Sequence, residues 1–482
     1  MKYFLVLLLI AVNLTYSQVP DETINHAQTI IAYSYNYEFE KSDPLIEEGL
    51  NNYPDSPKYH FLYIGNEMLK AMKYRDDAKV DFKQAVSDSI NNMLISYGEN
   101  IIERFEDEDL SLEDKFFLGC IYGYIGRIHG VQGSWTSAFG LVKSGRNILE
   151  EVLEEDSTYY DAYLVLGILN YFADRMGGLV GFVAGILGLS GDRETGLEYL
   201  KIAQEKGTYS VAQATYMLIE IYTRLENNEF AALNYFEQFT KRYPKNAHLM
   251  NWYCRELMDV DLVDKTAEVI NNDTYNVLDP YVKGRYYQRI GEYELSNEQL
   301  RLVESNKEMY YHWYYDHAIF MLAVNSLMLN DDAKAEKYKT RLNERLAPIF
   351  DEMYTNKDVS KYAAKLGELI GKFDDNDKIT QMLNNPPELN GKELFLKALL
   401  EYYKGVNYFK SKNYTEAEKV FYKLKLREGN YFRVESVKYL LEIYSTTKVD
   451  TIRAEELIDF IDNMDNESLT YRAKDIEKKY DL

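Results

Sequence analysis

A chain of 482 residues with 78 Asp and Glu against 55 Lys and Arg carries a formal charge of −23 at neutral pH. Nucleic acids and anionic lipid surfaces are held by Lys and Arg, so this balance argues against both as partners. Only two cysteines occur, Cys120 and Cys254, which excludes a disulfide scaffold and leaves the fold to a hydrophobic core.

The chain opens on MKYFLVLLLIAVNLTYSQVP: one Lys, an apolar run from Phe4 to Val12, then small and polar residues. That is the layout of a secretory signal peptide, and 1–17 is expected to be removed after Ser17. The run is shorter than the roughly 20 apolar residues of a single-pass anchor, and no Cys stands near the cleavage point to take a lipid. The expected mature protein is exported, periplasmic or extracellular, soluble, and without a stable membrane anchor.

Beyond it, 3.6-residue periodicity runs from about Thr23 to the C-terminus, and only nine prolines interrupt it. Short polar breaks punctuate the pattern: NNYPDSPKY, EDEDLSLED, EEDSTYYD, KRYPKNAH and LNNPPELNGKE. No run of alternating strands joined by tight turns is present, so the predicted class is all-α. Residues 18–110 form degenerate helical units that cap the array.

Residues 111–250 are more regular. Both cysteines lie among apolar neighbours, in FFLGCIYGY and NWYCREL, and are predicted as small core residues. Gly145 and Leu149 open a second helix of one unit. Ala232, Phe236 and Pro244 supply the second half of another, with Tyr222 one residue out of step. Between them Gly167 lies in DAYLVLGILNYF. Its small-residue counterpart, due twelve positions on, comes instead 29 positions on at Gly196, with Leu200 four further.

The excess is a Gly-rich apolar insertion, 173–190. Its uncharged run, Met176 to Gly191, is too short to span about 30 Å of hydrocarbon as a helix. GILGLSGDRE lacks the Lys of a phosphate loop, and Asp192 with Glu194 would repel phosphate. Ser190 has Gly188 two before it but Asp192 two after it, so it makes no nucleophile elbow. A packed structural hairpin is the expected reading, with Ser190 or Asp192 capping the next helix and Arg193 in local ion pairs with Asp192 and Glu194.

Residues 251–390 are divergent helical units. Gly284, Tyr287, Ser296 and Leu300 keep one set of offsets, Ala323 and Ala335 are again twelve apart, and the stretch between Asp259 and Pro280 is irregular. Residues 391–482 contain the clearest unit, LKALLEYYKGVNYFKSKNYTEAEKVFYKLKLREGN, with Gly405, Tyr408, Ala417 and Phe421. A small residue where two helices cross, an aromatic a turn later, a short turn and a second small residue build a tight antiparallel pair. The spacing resembles the tetratricopeptide repeat, W-x2-L-G-x2-Y then A-x3-F then P, with Glu401 at the Trp position, Lys404 at the Leu position and Gly429 where the Pro would fall. The resemblance implies a right-handed superhelical solenoid of antiparallel helix pairs. The arrangement DAYLVLGILNYFADRMGG…GLSGDRETGLEYL also resembles a group of uncharacterised exported bacterial tetratricopeptide proteins, over about Phe116 to Arg242. That resemblance implies no reaction and no catalytic residues.

No catalytic signature emerges. The six histidines show neither H-E-x-x-H nor zinc spacing with cysteine. His312 and Asp316 share a helical face in YYHWYYDHAIF, which suits an acid–base pair but equally a structural hydrogen bond. FEDEDLSLEDK and FDDNDKI lack calcium-loop spacing and read as solvated turns and helix starts. No cofactor or metal is expected. The leading expectation is a non-enzymatic scaffold that holds a protein or peptide partner in a concave groove lined by first-helix residues such as Tyr163, Asn170, Tyr216, Arg285, Gln288 and Asn407. The alternative is an envelope solute-binding protein for a glycan or other small ligand, which the 45 tyrosines would suit by stacking.

Overall fold

The computed structural model describes residues 22–175, 191–373, 375–389, 393–426, 431–464 and 466–482. The segment expected to be a signal peptide and most of the Gly-rich insertion lie outside the described residues. Within them the chain is helical, with no strand, and successive helices pack against one another. None of these helices is long and apolar enough to cross a membrane.

In chain order the N-terminal helices are α1 (Glu22–Tyr35), α2 (Phe39–Asn52), α3 (Pro57–Asp77) and α4 (Lys83–Phe105). They are followed by α5 (Leu112–Val131), α6 (Trp135–Glu155), α7 (Ala162–Arg175), α8 (Arg193–Lys206), α9 (Val211–Glu220) and α10 (Glu229–Arg242). The middle of the chain forms α11 (Ala247–Asp259), α12 (Val263–Asn271), α13 (Pro280–Arg289), α14 (Tyr293–Ser305), α15 (His312–Met328) and α16 (Asp332–Lys339). Then come α17 (Ala347–Thr355), α18 (Lys357–Lys372), α19 (Asn376–Asn384), α20 (Leu394–Lys410) and α21 (Tyr414–Lys425). The last are α22 (Arg433–Thr446), α23 (Thr451–Asp462) and α24 (Glu467–Tyr480). The stretch after Asp259 that showed no pattern is the short α12 and a turn.

The helix starts explain many of the Asp and Asn residues. Asp192, Asn228, Asn246, Asp279, Asp331, Asp375, Asn413 and Asp450 each accept a backbone N–H of the following turn. Helix ends repeat one device. Tyr37, Gly133, Asp261, Gly291, Asn330 and Lys412 have positive φ. The residue after each donates its N–H to the carbonyl five back, as in Glu38 to Tyr33, Ser134 to His129 and Asn413 to Tyr408. This is the six-to-one bond of a left-handed helix cap, which frees the chain to reverse into the next helix. The hairpins α1–α2, α5–α6, α11–α12, α13–α14, α15–α16 and α20–α21 share it.

The hairpin α9–α10 is a variant. After Glu220 the helix continues as a π-turn, Ile221–Leu225, and Asn228 reaches back six residues to the Tyr222 carbonyl. The one extra residue is why Tyr222 falls out of step in the sequence.

Small residues let the paired helices approach. A Cβ added at Gly196 would lie 2.6 Å from the Tyr171 nitrogen, and one at Gly167 would lie 3.0 Å from the Gly196 carbonyl and from the Leu200 nitrogen. The two glycines 29 positions apart therefore meet across α7 and α8. Ser296 Oγ donates to the Gly284 carbonyl at 2.7 Å, tying α13 to α14. Ala232, Phe236, Ala323, Ala335, Ala417 and Phe421 are fully buried, as are Cys120 and Cys254. Burying such side chains stabilises each hairpin by about 1.5–3 kcal/mol per large apolar residue.

Residues far apart in sequence also meet. Asn246 Nδ2 donates to the Tyr35 carbonyl at 2.8 Å, and Lys245 pairs with Glu38 at 2.7 Å. Arg193 pairs with Glu226 at 2.7 Å and with Asp475 of α24 at 2.8 Å. The expectation of local pairing for Arg193 is thus corrected: Asp192 is engaged in capping, accepting from Thr195 N at 2.7 Å, and Glu194 pairs with Lys478.

Candidate functional site

First helices of several hairpins contribute much of the lining of two cavities. One, about 370 Å³, is walled by α1, α3, α5 and α9, with part of α4 and Leu164 of α7. The other, about 670 Å³, is walled chiefly by α11, α13, α15, α20 and α22. Cavities of a few hundred Å³ are the usual size of small-ligand sites.

The larger cavity carries charges of both signs, largely paired. Arg285 pairs with Asp259 at 2.6 Å, and Arg289 pairs with Asp261 at 2.6 Å. Asp261 occupies the left-handed turn position after α11, so its backbone carries its carboxylate inward, where the Tyr402 hydroxyl also donates to it at 2.8 Å. Lys438 pairs with Glu229. His317 receives or donates a 2.8 Å hydrogen bond at Nδ1 with the Tyr281 hydroxyl. Burial, reinforced by the charge of Arg285, pulls the His317 imidazole down to about 4, so it is neutral at physiological pH. Close by, burial together with Asp259 and Glu229 pushes the Glu256 carboxyl up to about 7.

The smaller cavity has an apolar floor that includes Leu62, Leu69 and Cys120, all buried. Its polar lining includes Tyr35, whose hydroxyl donates to Gln213, together with Tyr216, Glu220 and three arginines.

Of the six groove candidates, Tyr216 lines the smaller cavity and Arg285 and Gln288 line the larger. Gln288 is engaged there, donating to Asn325 Oδ1 at 2.7 Å and to the Met321 carbonyl at 3.2 Å. The other three line neither cavity. Tyr163 packs edge-on against Tyr199 of α8, with ring centroids 4.9 Å apart, so it faces the second helix of its pair. Asn170 returns its amide to the Leu166 carbonyl at 2.8 Å. Asn407 is 9% exposed. One residue of helical phase, about 100°, separates the two outcomes.

His312 and Asp316 form no acid–base pair: Asp316 accepts from Asn343 at 2.8 Å, and the His312 ring stands against Trp313. Among the described residues no group of three or more His, Cys, Asp or Glu side chains is placed to hold a metal. The arginines of the smaller cavity escaped sequence reasoning because α3 and α5 carry no clear signature to set their phase, and Arg224 lies within the π-turn. Compared with known proteins, the chain matches no family model and no curated protein.

Proposed function

We propose that the chain is an exported, non-enzymatic binding protein, built as a right-handed tetratricopeptide-like superhelix, that holds a protein or peptide partner along the face made by its first helices. One observation carries this reading: helices from hairpins spread along the chain converge to line shared cavities, among them the first helices α1, α3, α5 and α9 in one case and α11, α13, α15 and α20 in the other. The left-handed turns at Asn227, Asp261, Gly291 and Asn330 follow one another in steps of 34, 30 and 39 residues, around the 34-residue period of that repeat. Export rests on the apolar N-terminal run alone.

The test is in-cell crosslinking with a photoreactive residue at position 216 or 288, and at position 163 as the control outside both cavities. A polypeptide captured at 216 or 288 but not at 163 supports the reading. Capture at none of them, with a low-molecular-weight compound retained through purification, rejects it in favour of a small-ligand carrier. That second reading is favoured by the size of the cavities, which suits a small molecule better than a helix of 10–12 Å diameter.

A further inference from the structure

The smaller cavity reverses the charge balance of the molecule. The chain as a whole has more carboxylates than basic groups, yet this cavity is lined by Arg75, Arg127 and Arg224 against a single carboxylate, Glu220. None of the three arginines is strongly neutralised. Arg127 is exposed and has no ion-pair partner among the described residues. Arg75 stands 3.6 Å from Asp76, but that carboxylate is already held by His248 Nδ1 at 2.6 Å. Arg224 is 3.5 Å from Glu220 and lies over the Trp252 ring, 4.2 Å from its centroid, which fixes the guanidinium plane.

All three arginines line the same cavity as the Tyr216 ring. Burial raises the Tyr216 phenol, Glu220 adds to the rise, and Arg224, Arg127 and Arg75 each pull it back. Three like charges gathered at one cavity repel each other, and each carries a planar fork that matches a carboxylate or phosphate. Beneath them the floor is apolar: Leu62 and Leu69 are 5% and 7% exposed, and Met72 adjoins them.

We propose that this cavity is a binding site for a small amphipathic anion, its acidic head held by Arg75, Arg127 and Arg224 and its apolar body laid on Leu62, Leu69 and Met72. The proposal rests on the small-ligand reading of the cavities and does not require a polypeptide partner. The arginine excess gives the site its sign preference, since a cationic amphiphile of equal length would meet three guanidinium groups against one lining carboxylate.

The experiment is isothermal titration of the full mature chain with dodecanoate, dodecyl phosphate and dodecyltrimethylammonium, each below its micelle concentration, and with acetate. Dodecanoate or dodecyl phosphate is expected to bind one per chain, more weakly as salt is added, while the cation and acetate do not bind. The preferred headgroup separates a carboxylate from a phosphate source. Arg127→Ala combined with Arg224→Ala should weaken anion binding by at least about tenfold. Both side chains are exposed, so circular dichroism should show the fold unchanged. Met72→Glu should weaken it independently by opposing the apolar body. Equal binding of the cation, or anion binding unchanged in the double arginine variant, overturns the proposal. Crosslinking the same double variant in cells keeps the two readings apart: polypeptide capture at position 288 that survives loss of anion binding assigns them to different sites.

Discussion

Asp161 shows how much one side chain settles. Its carboxylate is 5% exposed and accepts from the backbone nitrogens of Thr208, Tyr209 and Ser210 at 2.8–3.0 Å and from Ser210 Oγ at 2.7 Å. These are the orphan donors ahead of α9, so the start of one hairpin is clamped by the start of the hairpin before it. Replacing Asp161 with Ala should cost roughly 3 kcal/mol or more in urea unfolding, and Asp161→Asn, which keeps one acceptor oxygen, clearly less. Titration offers a second residue-scale check. His317 has a folded pKa near 4, below its ordinary value, so stability is lost as pH falls from the ordinary histidine range toward 4. Glu256 has a folded pKa near 7, above its ordinary value, so its contribution is present at low pH and lost as pH rises through 7. His317→Gln should therefore flatten the acid side of the stability profile. Glu256→Gln should raise stability above pH 7, by about 1–2 kcal/mol after allowing for partial exposure.

At the scale of helices, close approach governs. Gly196→Ala would drive a methyl against the Tyr171 backbone, and since a backbone cannot rotate away, α7 and α8 must part. A loss of about 2 kcal/mol or more is expected, read from the urea midpoint, with the helical content retained. This contact was legible: Gly167, Gly196 and Leu200 kept their offsets on either side of the insertion, because a helix crossing admits only small residues. So were several of the breaks: Ser56, Ser111 and Asn246 cap the helices that follow them, and Pro57 opens α3. The cavity-facing set was legible only in part. Arg285 and Gln288 follow Gly284 of a recognisable unit, whereas Tyr163 shows that a correct helix with its phase off by one residue puts a side chain on the wrong face. Arg75 and Arg127 had no unit to anchor them, and Arg193 found partners 33 and 282 positions away that no local pattern announces.

Across the whole molecule, the hairpins are bound by more than their neighbours. Arg193 is 11% and Glu226 1% exposed at the side chain, and the Arg472 guanidinium donates to the Asn227 carbonyl at 3.2 Å, so α24 is docked on the α8–α10 region. Arg193→Met leaves Glu226 buried without that partner, a loss of about 3–5 kcal/mol. Hydrogen exchange should then report faster opening of α24 before any change in α13–α16. An open array of repeats tolerates gain or loss of a unit, because each contacts only the next one. Here Asn246 must find Tyr35, Tyr402 must find Asp261, and Asp475 must find Arg193. Duplicating one hairpin anywhere between such partners would carry every later helix past its mate. Descendants of this chain are thus free to drift in sequence but not in unit number, and evolutionary length change should be confined to the turns.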